Sequence, residues 1–167
     1  MIIQPKNAKL AFEHRLFILE EMPKNSVCAE VGVLEGTFTQ HIISITKPGE
    51  LHLIDPWMVP GSWNIFDKNR DHFEECYYLI HEKKFERTKF PNDYFDWMYL
   101  DNGHKFVESY DQLRLAYKKV KKGGWLIGDD YNTGHPQQTL AVNLFVKNYN
   151  VEWIPVGGWQ FKIRKLG

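Results

Sequence analysis

The spacing of apolar positions changes several times along the chain, and each change predicts an element. Ala8, Phe12, Leu16, Leu19 and Met22 recur at helical spacing until Pro23 stops the pattern. Val27 to Val33 is a short Val-rich run that contains Gly32 and is followed by Gly36, which reads as a buried strand feeding a turn. Thr37 to Ile45 reads as a helix closed by Lys47-Pro48-Gly49, and Leu51 to Asp55 as the next strand, ended by Pro56. Gly61 to Asn64 suggests a loop, with helix expected over Asn69 to Glu75, a strand over Tyr77 to Ile80 and a short helix over Phe85 to Phe90. Phe95 to Asp101 is a strong strand. Phe106, Tyr110, Leu113, Tyr117 and Val120 then step by four, three, four and three, an amphipathic helix that Gly123-Gly124 is expected to end. Trp125 to Gly128 is the fifth strand, and Gln138 to Lys147 a further helix. Val151 to Val156 and Trp159 to Ile163 close the chain as two strands joined by Gly157-Gly158, a hairpin signal.

Strands alternating with helices predict an α/β domain with a mostly parallel, seven-stranded sheet covered by helices on both faces. The terminal hairpin adds one antiparallel strand. A chain of 167 residues suits one domain, with 1–25 as an N-terminal helix and 26–167 as the core.

Composition removes several function classes. Lys plus Arg and Asp plus Glu are both 21, and zero net charge argues against general binding to nucleic acid or an acidic membrane. Lys118, Lys119, Lys121 and Lys122 fall at a helix C-terminus, where cations complement the helix dipole. No apolar run approaches a membrane span, and Met1 to Asn7 lacks the apolar region of a secretory signal. Cys28 and Cys76 have no paired metal-ligand spacing and read as reduced thiols, so a cytoplasmic location is expected.

The candidate chemistry lies at strand ends. Gly32 and Gly36 let the first turn come close to a ligand, and Asp55 ends the second strand. A carboxylate there can accept from both hydroxyls of a ribose; the alternative is that the glycines serve a tight turn and Asp55 caps the strand. The spacing Glu-x-Gly-x-x-x-Gly differs from the pyrophosphate pattern Gly-x-Gly-x-x-Gly. Glu30 would repel a pyrophosphate and suits a ligand with an ammonium group, such as S-adenosylmethionine (SAM). Asp101, Asp129 and Asp130 end the fourth and fifth strands and converge on one crevice. Their mutual repulsion calls for a raised pKa or a cation, and an all-oxygen set suits Mg²⁺. The competing reading is that they cap turns and bind backbone amides. His104 is a candidate general base or a helix cap, and His135 a weaker candidate for the base.

On Glu30–Thr37, Leu53–Trp57, Tyr94–His104 and Lys122–Tyr131, the sequence resembles the class I SAM-dependent methyltransferases. Within them it is similar to the short family of sugar O-methyltransferases of secondary metabolism (macrocin O-methyltransferase-like), over nearly the whole chain from Cys28 to Lys165. The resemblance implies a Rossmann-like, doubly wound fold. It implies that Glu30 and Gly32 line the methionine end of SAM, that Gly36 and Thr37 also belong to the cofactor site, and that Asp55 holds the ribose. Trp57 would lie near the adenine or serve packing, Glu82 would read the adenine edge, and Asp101 would complete the cofactor site. It also implies Mg²⁺ on Asp101, Asp129 and Asp130, and methyl transfer to a hydroxyl of a small molecule, a sugar among the candidates; Asp101 and His104 are the candidate catalytic residues. At Gly103 relatives often carry a second Asp; here His104 either takes over the base role or caps the next helix. Rival readings are a non-catalytic SAM-binding module and an NAD-type oxidoreductase. The loop around Trp63 reads as a substrate lid or as packing.

Overall fold

A computed structural model describes residues 8–101, 103–132, 135–154 and 156–167; the Met1 to Asn7 stretch lies outside them. The elements run α1 (Ala8–Glu20), β1 (Val27–Val31), α2 (Thr37–His41), β2 (Glu50–Asp55), α3 (Ser62–Asn69), β3 (Tyr78–Glu82), β4 (Phe95–Leu100), α4 (Phe106–Lys119), β5 (Val120–Gly128), α5 (Pro136–Asn148), β6 (Val151–Ile154) and β7 (Phe161–Lys165). One seven-stranded sheet has the order β3-β2-β1-β4-β5-β7-β6. β1 to β5 are mutually parallel, and β7 runs antiparallel to both β5 and β6. This is the expected doubly wound, Rossmann-like architecture.

The central strands β1, β2 and β4 are buried on both faces, so alternate residues feed two separate cores. Cys28, Leu53, Trp97 and Tyr99 meet Leu19 of α1, Phe38 of α2 and Phe66 of α3 on one face. Ala29, Ile54, Met98 and Leu100 meet Leu113 of α4 and Phe145 of α5 on the other. Within α1 the apolar stripe is seen in Leu16, Leu19 and Met22; the side chains of Ala8 and Phe12 lie outside the described residues. Both cysteines are free thiols, Cys28 in the core and Cys76 partly buried. Among the described residues no helix is long and apolar enough to cross a membrane.

Five local expectations are corrected. The helix after β1 is α-helical only to His41 and widens into a π turn over Ile42–Thr46. There the Thr46 hydroxyl donates to the Ile42 carbonyl at 2.7 Å, a side-chain bond that competes with the backbone ladder. The loop expected at 61–64 is the start of α3, and the helix expected to Glu75 ends in a short 3-10 turn at Arg70–His72. Burying Phe66, with Trp63 packed beside it, favours the helix. Gly123-Gly124 does not end α4: Val120 is already extended, and both glycines lie inside β5. Pairing jumps from Phe95↔Val120 to Trp97↔Trp125, so the intervening residues bulge, and a Cβ on Gly124 would lie 2.5 Å from the Asp96 carbonyl. Finally, β6 and β7 are joined by residues 155–160 rather than a two-residue turn, with Ile154 opposite Lys162. Trp159 and Gln160 are tied elsewhere: the Tyr131 amide donates to the Trp159 carbonyl, and Gln160 bonds to Tyr99 and Asp129.

Candidate functional site

The strand order reverses between β1 and β4, and a crevice opens at the carboxyl ends of these strands. It holds a cavity of about 480 Å³ lined by Arg15, Glu30, Gly32, Thr37, Asp101 and His104, among others. A second cavity of about 250 Å³ is lined by Asp55, Met58, Lys84, Phe85 and Gln112, among others. Val59 and Gly103 line both, so the two adjoin.

The turn after β1 is built around Asp55. The Val33 and Leu34 amides donate to Asp55 Oδ2 at 2.9 and 3.0 Å, and the Trp57 amide donates to Oδ1 at 2.6 Å. A carboxylate offers about four acceptor sites. Asp55 therefore fastens the loop and keeps about one acceptor site for a ligand in the second cavity. The capping reading made from sequence is the one these bonds display. Gly36 has φ +75 and opens α2; a Cβ there would lie 2.9 Å from a ring carbon of Phe66. Asn69 of α3 donates to the Glu35 carbonyl at 2.8 Å, fixing the same loop from below.

Glu30 is buried at 1% exposure, and the Thr39 hydroxyl donates to its Oε2 at 2.6 Å. Burial pushes its carboxyl pKa up to about 8; Thr39 and Arg15 work against that rise, and the charges of Asp101 and Asp55 add to it. Trp57 lines neither cavity. Its ring is buried against Trp63 and Phe66, and its indole N–H donates to the Leu34 carbonyl at 2.7 Å, which is the packing alternative. Trp63 belongs to the same cluster, the packing alternative again. Glu82 ends β3 beside Asp55 but is exposed and is not among the cavity-lining residues; Lys84, Phe85 and Glu86 are.

The three aspartates do not act as one set. Arg15 donates through Nη2 to Asp101 Oδ2 at 2.5 Å, and its Nη1 lies 3.2 Å from Asp129 Oδ2. Its Nε donates to the Tyr99 hydroxyl at 2.8 Å, and the guanidinium lies over the Phe38 ring at 4.2 Å. Gln160 donates its amide N–H to Asp129 Oδ1, and Tyr99 donates to Gln160 Oε1 at 2.9 Å. Burial raises the Asp129 pKa to about 6 and also raises that of Asp101, while Arg15 opposes both shifts. Asp130 turns away at φ 65. Its Oδ2 is 2.7 Å from His104 Nε2, and its Oδ1 is 4.0 Å from His135 Nε2. Mg²⁺ on Asp101, Asp129 and Asp130 therefore does not fit: a guanidinium lies between the first two, and the third faces two imidazoles. His104, Asp130 and His135 do offer ligand atoms within 4.8 Å of one another. Their imidazole rings, however, stack at 4.1 Å and 17°, so one ion cannot lie in both ring planes without a ring turning.

Sequence reasoning missed Arg15, Thr39 and Gln160. Arg15 alone left a signal, as a charged residue at a helical step of three from Phe12 and four from Leu19, on the apolar stripe of α1.

A curated relative, an uncharacterized protein of Acanthamoeba polyphaga mimivirus, is 28% identical over 129 residues, covering 70% of this chain. The chain spans 58% of that relative's length. The tRNA methyltransferase TrmI of Aquifex aeolicus superposes with a TM-score of 0.72 at 15% identity, covering 99% of this chain and 71% of its own. The N-methyltransferase NodS of Bradyrhizobium japonicum, solved with S-adenosyl-L-homocysteine, gives 0.68 at 11% identity, covering 97% and 88%. These two show the fold. The family described as a methyltransferase domain matches residues 29–131, from β1 through the Asp129-Asp130 turn, and this chain belongs to it.

Proposed function

We propose that the chain is a SAM-dependent methyltransferase that methylates a hydroxyl of a small molecule, a sugar hydroxyl being the specific candidate. The observation that carries the reading is the pair of adjoining cavities with a carboxylate at each: Glu30 in the larger, Asp55 in the smaller. That layout suits a phosphate-free nucleoside with an amino-acid arm, with Glu30 holding the ammonium and Asp55 the ribose hydroxyls. Gly32 and Thr37 border the arm, Gly36 shapes the turn without lining either cavity, and Lys84, Phe85 and Glu86 are better placed than Glu82 for the base.

When bound, SAM supplies a methyl group already activated by its sulfonium. The protein then has to orient an acceptor and take its proton, and orientation alone is worth about 7–11 kcal/mol. His104 lines the larger cavity, and Asp130 holds its ring through Nε2. The other ring nitrogen, Nδ1, would take the proton of an acceptor hydroxyl placed in that cavity. Asp101, held by Arg15, borders the same space. Zero net charge favours a small acceptor over a nucleic acid.

The reading is tested by calorimetry of the full chain with SAM, S-adenosylhomocysteine and NAD, followed by transfer of labelled methyl to a panel of glycosides. Binding of the first two and transfer to a hydroxyl are expected. Heat from NAD alone would establish the oxidoreductase reading instead. Donor binding with no transfer to any acceptor would make the chain a binding module.

A further inference from the structure

We propose that Arg15 is the resident cation of the carboxylate cluster at the ends of β4 and β5, and that its guanidinium excludes a divalent ion from that position. The inference goes beyond the methyl-transfer reading and does not depend on it.

Two carboxylates at neighbouring strand ends need a compensating positive charge. Arg15 supplies one in a fixed geometry. Its two terminal nitrogens reach Asp101 and Asp129 at 2.5 and 3.2 Å, its Nε donates to Tyr99, and its face rests on Phe38. Each guanidinium nitrogen thus has a partner, and the side chain is only 17% exposed. A planar fork fills a two-carboxylate slot far better than a flexible ammonium. A divalent ion bridging the same oxygens would be set against a charge of its own sign that is already buried there. Mg²⁺ also demands near-ideal octahedral geometry. The remaining Asp129 oxygen accepts from Gln160, and Asp130 faces His104, so neither carboxylate is turned toward a shared ion. Arg15 is thus a positioning residue: it holds Asp101 at the cavity wall. It comes from α1, which makes that helix part of the site as well as a cover for the sheet.

The inference predicts a gain of function. Mn²⁺ binding to the full chain, without donor, is followed by the electron paramagnetic resonance of free Mn²⁺. Wild type is expected to show no Asp129-dependent binding. Arg15→Ala, once shown folded by circular dichroism, is expected to bind one Mn²⁺ at least about tenfold more tightly than wild type, through the vacated oxygen ligands. Adding Asp129→Asn to that variant is expected to abolish the binding, and Arg15→Lys, which restores a positive charge, to weaken it. A merely structural arginine would create no new ion site. Mn²⁺ binding by wild type that disappears in Asp129→Asn overturns the proposal, as does a folded Arg15→Ala that binds no better than wild type. If Arg15→Ala does not fold, the comparison of wild type with Asp129→Asn and the Arg15→Lys titration decide. Donor calorimetry reads the methyltransferase function separately, so the two ideas fail on different measurements.

Discussion

Replacing Glu30 with Gln should stabilise the protein and remove much of its pH dependence near neutrality. Glu30 is 1% exposed, and burial raises its carboxyl from an ordinary 4.5 to about 8. The folded chain therefore binds more protons than the unfolded chain between those values. The Glu30 contribution is fully present below pH 4.5 and is lost as pH rises toward 8. At 1.36 kcal/mol per pKa unit, the loss is about 3 kcal/mol at pH 7 and approaches about 5 kcal/mol above pH 8. Gln keeps an oxygen for the Thr39 hydroxyl and never ionises, so most of this is relieved, less roughly 1 kcal/mol for its buried amide. The assay is urea denaturation of both proteins at intervals from pH 4 to 9. The difference in unfolding free energy should be small at pH 4 and grow to about 2–3 kcal/mol at pH 7. A difference that stays flat across the range would refute the argument, because it would mean that Glu30 does not hold its proton more tightly in the folded state. The same proton links to function: ammonium binding favours the ionised form, so wild type should release a proton on taking up SAM at pH 7. Calorimetry in buffers of different ionisation enthalpy detects it, and Glu30→Gln should bind more weakly with no such release.

Asp55→Ala removes the acceptor for three backbone amides as well as the proposed ribose contact. It should lower stability by about 2–3 kcal/mol and SAM affinity at least about a hundredfold; unchanged calorimetric affinity would reject the ribose assignment. Gly36→Ala adds a Cβ 2.9 Å from Phe66 at φ +75. The strain and overpacking should cost about 2–3 kcal/mol, a fall of roughly 5–10 °C in Tm, and a melting curve that matches wild type would show the turn to be more pliant than its geometry implies.

What the linear pattern settles here is local. Buried parallel strands need unbroken apolar runs, so Val27–Val31, Glu50–Asp55 and Phe95–Leu100 stood out, and their carboxyl ends located the crevice with Glu30, Asp55 and Asp101 on it. The amphipathic period of α4 marked its face in the same way. Three-dimensional packing decided what those residues touch. No spacing rule brings Arg15 to Asp101, 86 positions away, or Gln160 to Asp129, 31 positions away. Those contacts exist because α1 packs over one face of the sheet and because β7 inserts between β5 and β6. Adjacent aspartates likewise parted company only through backbone conformation: Asp129 stays with Arg15, while the left-handed turn at Asp130 sends its carboxylate to His104. Burial is collective too. Glu30 reads in sequence as an ordinary acid, and only its burial in the folded chain turns it into a group that holds its proton near neutral pH, against the opposing hydrogen bond from Thr39. Periodicity is a property of neighbours in the chain, whereas charge pairing and desolvation are properties of neighbours in space.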